Sequence, residues 1–279
     1  MAETRPTASA STSAMATSVQ PKKSSNAISW LAPVICIIAG YCIWRFTMGS
    51  AEGFKEPGEG WFWPSHKGPI NAWYRIYEGG IIVPVLIGMF LMVIVFSIER
   101  FLTINKALGK GSIAEFIRQV QYHLANRNVD AALAACDKQR GSVANVMKAG
   151  LRRYKEMIGN NELDTEQKVL AIQKEVEEAT ALELPMLQKN LVFLSTITSV
   201  GTLVALLGTV IGMIRSFSAL GESGGGDAAQ LAVGISEALY NTALGIGTSA
   251  AALIMYNVFT TKIDSITYGI DESGFTLTQ

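Results

Sequence analysis

Glu237 is the one Asp, Glu, Lys, Arg or His in a long apolar stretch, from about Leu231 to Thr261. A carboxylate inside a bilayer is costly and usually faces a protein interior or a water-filled cavity. Such a group can take up and release a proton. The competing reading is a Glu that reaches the headgroups or hydrogen-bonds as a neutral acid. Hydroxyls surround it in sequence. Thr242 and Thr248 share its stretch, and Thr202 and Thr209 lie in a charge-free stretch from Leu191 to Ile214. Threonine does not titrate at physiological pH, but it can order a water wire. Glu237, Thr209 and Thr242 are therefore the candidates for a proton pathway. Thr202, Gly208, Gly212, Asn241, Gly245 and Thr248 are secondary candidates, for pore lining or helix packing. At about 100° per residue, Glu237, Asn241 and Thr248 share one helical stripe, while Thr242 lies about 140° from Glu237. A regular helix cannot aim Glu237 and Thr242 at one point. Either it faces two polar environments, or it is irregular near its glycines.

Composition narrows the chemistry further. The 279 residues are 49% hydrophobic and 16% charged, with 23 Lys+Arg against 23 Asp+Glu. An ordinary soluble domain is about 25% charged. The zero balance gives no basic surface for nucleic acid. Cys36, Cys42 and Cys136 cannot build a disulfide framework, and His66 and His123 lack metal-ligand spacing. The chain has no Walker motif, nucleophile constellation or redox cofactor box. No enzyme activity, metal or cofactor is expected, and any energy used must come from an ion gradient.

Positioning these residues requires a membrane. Four stretches reach the roughly 20 apolar residues of a spanning helix: Ile28 to Met48, Gly80 to Ile98, Leu191 to Ile214, and Leu231 to Thr261. The expected fold is an all-α integral membrane protein. It has four transmembrane helices and a helical cytoplasmic domain, with long helices continuing from membrane into cytoplasm. The predicted organisation begins with a disordered cytoplasmic tail over 1–26, rich in Ala, Ser and Thr, and a retained N-terminal helix over 27–49. An aromatic periplasmic loop over 50–79 and a membrane helix over 80–98 follow. Residues 99–190 form the cytoplasmic domain, 191–216 a pore-lining helix, 217–230 a periplasmic turn, 231–261 a second pore-lining helix, and 262–279 a cytoplasmic tail. Ser112 with Glu115, and Asp164 with Gln167, have capping-box spacing. The helix opened by Asp164 is expected to run into the third span, kinked or loosened at Pro185. Lys and Arg crowd residues 99–190 and are absent from 216–230, which places both termini and the central domain on the cytoplasmic side.

The third and fourth spans are rich in Gly, Ala, Ser and Thr, the residues that let membrane helices approach closely. Two helices cannot enclose a pore, but a symmetric homo-oligomer could. The run Leu207-Gly-Thr-Val-Ile-Gly-Met-Ile214, and the run Gly234-Ile-Ser-Glu-Ala-Leu-Tyr-Asn-Thr-Ala-Leu-Gly245, resemble core spans of the ExbB/TolQ/MotA proton-channel family. Tyr256-Asn257 closes the resemblance, and Glu99-Arg100 at the end of the second span matches the family's first core span in character. The pattern is closest to ExbB, although the four-span plan resembles MotA. The resemblance implies an inner-membrane, multi-pass homopentamer around a smaller, single-span, ExbD-like partner that supplies a protonatable Asp. It implies proton flow that energises a TonB-like protein, and it carries the family's pore hydroxyls and carboxylate onto Thr209, Thr242 and Glu237. A TolQ- or MotA-type subunit of another envelope motor and a non-conducting scaffold remain the alternatives. The extra first span is expected to pack on the outside of the bundle.

Overall fold

A computed structural model describes residues 26–278 apart from 63, 65, 161 and 223–227. The expected tail over 1–26 lies outside the described residues except for Asn26, and the middle of the 217–230 turn lies outside them too.

Helices dominate: α1 (Asn26–Ile43), α2 (Ala72–Arg75), α3 (Ile82–Leu108), α4 (Ile113–Ala125), α5 (Val129–Gln139), α6 (Ser142–Ile158), α7 (Thr165–Gln188), α8 (Leu191–Glu222) and α9 (Ala228–Thr278). Four of them, α1, α3, α8 and α9, are long and apolar enough to cross a membrane. Long helices do continue past the apolar stretches. α3 runs ten residues beyond Ile98, and α9 extends without a break through the segment expected to be a tail.

α1 packs on α3 through glycine. A methyl group on Gly40 would lie 2.6 Å from the Gly88 backbone nitrogen. The other side of α1 leaves Leu31, Val34, Ile35 and Ile38 exposed, as a lipid-facing surface does. α8 and α9 pack against each other along the series of small residues read from the sequence.

The loop between α1 and α3 is a folded cap. A π-helical turn, Trp44–Met48, leads into a two-stranded antiparallel sheet, β1 (Phe54–Glu56) and β2 (Lys67–Pro69), pairing Phe54 with Pro69 and Glu56 with Lys67. Trp44 stacks on Tyr77 with ring centroids 4.3 Å apart, and the Trp44 indole N–H donates to the Tyr77 carbonyl. The Tyr77 hydroxyl donates to the Pro64 carbonyl at 2.8 Å. These bonds satisfy the polar ends of aromatic rings that are otherwise buried.

The α7–α8 junction differs from the expected continuous helix. α7 runs through Pro185 and ends at Gln188, and the chain breaks at Lys189–Asn190, where Asn190 takes φ +65°. The break is held from α3. Arg100, only 2% exposed, donates to the carbonyls of Met186 (3.3 Å) and Leu187 (3.2 Å). It pairs with Glu99, which also accepts from the Asn190 amide at 3.2 Å. The last carbonyls of a helix lack intrahelical partners, and the guanidinium supplies them. At the start of α7 the Asp164–Gln167 capping box forms. Ser112 sits at the N-cap of α4 without a side-chain cap bond.

Candidate functional site

The site is built on α8 and α9, whose small residues set how close the helices come. A methyl on Gly212 would meet the Ala238 Cβ at 2.9 Å. One on Gly208 would lie 3.0 Å from both Asn241 and Ile82. One on Gly245 would run into the Ala205 side chain and lie 2.9 Å from the Gly201 carbonyl. Near the Gly245 end, the Thr202 hydroxyl donates to Ser249 across the helices at 3.0 Å. Thr248 is buried and donates to the Leu244 carbonyl of its own helix at 2.8 Å.

The sequence candidates separate into two places. Thr209 and Thr242 meet: their hydroxyls are hydrogen-bonded across α8 and α9, and either can be the donor. Each also reaches a backbone carbonyl, Thr209 that of Ala205 (3.1 Å) and Thr242 that of Ala238 (3.3 Å). Two hydroxyl protons are thus shared among more than two acceptors, so the direction of donation can reverse. Thr209 opens onto a groove of about 600 Å³ along α8, lined also by Val210, Met213, Ile214, Phe217 and Ser218.

Glu237 faces elsewhere. It lines a small cavity of about 10 Å³, enclosed by the loop residues before α3, by α8 and by α9. Its polar neighbours there are Glu78, Arg215 and Asn241, with Ile81, Ile82 and Ile211 among the walls. Of the two arrangements the helical geometry allowed, the structure therefore has the one with two polar environments on opposite sides of α9. No irregular turn is present within α9.

Glu78 was not a candidate from sequence. It sits in the short 3₁₀ helix Ile76–Gly79, just ahead of a charge-free span. Burial pushes its carboxyl above the usual carboxylate range, with the Arg75 charge pulling it back. The Asn241 amide N–H donates to the Gly79 carbonyl at 3.1 Å and ties this short helix to α9. Gly80, at φ +74°, turns the chain into α3 and leaves space for the Arg215 guanidinium, 3.1 Å from where a Cβ would stand. Among the described residues, no group of three His, Cys, Asp or Glu is arranged to hold a metal ion.

The sequence model of the MotA/TolQ/ExbB proton channel family matches residues 138–272, which contain all three primary candidates. The putative biopolymer transport protein ExbB-like 3 of Synechocystis sp. is 42% identical over 86 residues, covering 30% of this chain and 41% of that protein. The biopolymer transport protein ExbB of Helicobacter pylori is 44% identical over 91 residues, 33% of this chain and 62% of the relative. The Tol-Pal system protein TolQ of Pseudomonas aeruginosa is 29% identical over 124 residues, 44% of this chain and 54% of the relative. The chain thus spans about half the length of the curated relatives it matches.

Proposed function

Residues 138–272 of this chain match the MotA/TolQ/ExbB proton channel family, and from that premise we propose that the chain belongs to it, as the proton-channel subunit of an ExbB-type inner-membrane motor. In this reading five copies surround a single-span, ExbD-like partner, and proton flow energises a TonB-like protein for outer-membrane transport. Both termini and residues 99–190 are cytoplasmic, following the segregation of Lys and Arg. The observation that carries the reading is the Thr209–Thr242 hydroxyl pair, which opens onto the α8 groove. A hydroxyl chain facing an axial partner suits a proton path, and the carboxylate on the opposite side of α9 gives a group that can be loaded. Replacing Thr209 and Thr242 together by Val, or Glu237 by Ala, should abolish energised uptake of an outer-membrane substrate while the oligomer keeps its size. Normal uptake in either variant sinks the assignment. Under the scaffold alternative, Glu237→Gln keeps full function.

A TolQ-type role is the second reading, favoured by the alignment to TolQ, which extends over 124 residues. Affinity capture separates the two: recovery of a TonB-like protein supports the first, and recovery of a TolA-like protein the second.

A further inference from the structure

The cavity beside Glu237 has a feature that packing does not explain. Asn241 is 2% exposed, and its Nδ2 bond to Gly79 fixes which arm is the oxygen. That oxygen, Oδ1, is buried and has no hydrogen-bond partner among the described residues. An unpaired buried acceptor is costly, so a donor is called for at a site whose volume, about 10 Å³, suits one water. Two carboxylates and one guanidinium also line the space, Glu78 from the loop, Glu237 from α9 and Arg215 from α8. The start of α3 contributes only apolar Ile82. Arg215 faces the cavity, and Arg75 acts on Glu78 from outside it. The two carboxylates still share one small, partly apolar space, where burial favours the neutral form and ionised neighbours repel, so a single shared proton relieves both.

We propose that Glu78 and Glu237 form a two-carboxylate relay sharing one proton through a water in this cavity, held by Asn241 and balanced by Arg215. The inference rests on the proton-channel reading and extends it to an entry route. Protons reach Glu237 from the aromatic loop, through a crevice inside one subunit. In the transfer, the protonated Glu78 gives its O–H proton to the water, and the water gives one of its own protons to a Glu237 carboxylate oxygen. Glu78 is left ionised with the Arg75 charge acting on it, Glu237 is left neutral, and no other bond changes. A bare metal cation suits the site less well, because the guanidinium already occupies its positive side.

The test is a pH titration of the full-length protein in lipid nanodiscs, read from the infrared carboxyl C=O band. Wild type, Glu78→Gln, Glu237→Gln and the double variant are compared. Groups coupled this closely lose their protons in two steps more than about one pH unit apart. Each single Gln variant is expected to show one step lying between the two wild-type steps, and the double variant neither. Glu78→Asp keeps a carboxylate and retains two steps, which guards against a folding defect in Glu78→Gln. The steps should not move when sodium replaces potassium; a sodium-dependent midpoint overturns the proton assignment. Single variants that each reproduce one of the wild-type steps overturn the relay but leave the proton-channel reading standing. Coupled steps together with normal uptake in Glu237→Ala overturn that reading and leave the shared site standing.

Discussion

His66 shows how far one side chain's protonation controls the loop cap. Its Nδ1 accepts from the Gly58 backbone N–H at 3.0 Å, so the ring proton sits on Nε2, which donates to the Gly49 carbonyl at 3.2 Å. The ring also stacks on Phe54, with centroids 4.7 Å apart. Only the neutral imidazole can accept from Gly58. Burial lowers the His66 pKa and the Arg45 charge lowers it further, against the bond to Gly49, which raises it. A histidine whose pKa is lowered on folding favours the folded state at higher pH, because the unfolded chain binds the proton first. The cap is therefore fully stable above the ordinary histidine value of about 6.5 and loses stability as pH falls from there toward the depressed value. Tryptophan emission from Trp44, buried against Tyr77, should report this as a reversible change on acidification. His66→Asn, which keeps one donor and one acceptor but does not titrate, should flatten the response; a response of wild-type size in that variant rules His66 out.

At the contact of α8 with α9, two glycines of one helix make opposite predictions. Gly245 faces Ala205 and the Gly201 carbonyl, whereas a Cβ on Gly247 would meet nothing within 4 Å. Gly245→Ala must push the helices apart, and overpacking of this kind costs about 1–3 kcal/mol. Gly247→Ala gains up to about 1 kcal/mol of helix propensity instead. Thermal unfolding in detergent should show a lower midpoint for the first and an unchanged or higher one for the second. Equal midpoints would mean that the close approach does not hold this pair together. The pattern behind the prediction was legible in the sequence, because a membrane helix rich in Gly and Ala has few uses other than close packing. So were the four spans, from apolar length, and the Asp164 cap, from spacing. The break at Lys189–Asn190 was not legible. Its cause is Arg100, remote in sequence, whose side chain takes up carbonyls at the end of α7. Glu78 was hidden for a similar reason. Nothing around it marks a site until Asn241 draws its short helix onto α9. The full length of α9 was legible but obscured. Ile263, Ile266 and Ile270 recur at helical spacing, yet Lys262 reads as the end of a membrane span.

Those isoleucines make α9 a strut joining the two parts of the molecule. Its first half carries Glu237 and Thr242, and its second half is embedded in the helices of the 99–190 region. Ile263, Ile266, Ile270 and Leu277 are buried there with residues of α4, α6 and α7. A methyl on Gly269 would press on Ile113 at 2.8 Å, and Gln121 on α4 donates to Thr276 at 3.2 Å. A single helix cannot turn or tilt at one end without displacing what is packed on the other, so motion at the hydroxyl pair is transmitted to this region and the reverse. Two variants test whether the packing is shared. Ile266 is fully buried, and Ile266→Ala removes a core side chain, which costs about 2–5 kcal/mol. Tyr268, two residues on, is exposed, and Tyr268→Ala should stay within about 0.5 kcal/mol. Hydrogen exchange by mass spectrometry locates the loss. With Ile266→Ala, amide exchange should speed up in α4, α6 and α7, far away in sequence, as well as in the end of α9. Faster exchange confined to the end of α9 would make it an appendage lying on the domain, and the coupling between the apolar helices and the 99–190 region would then have to run through α3 and the Arg100 junction.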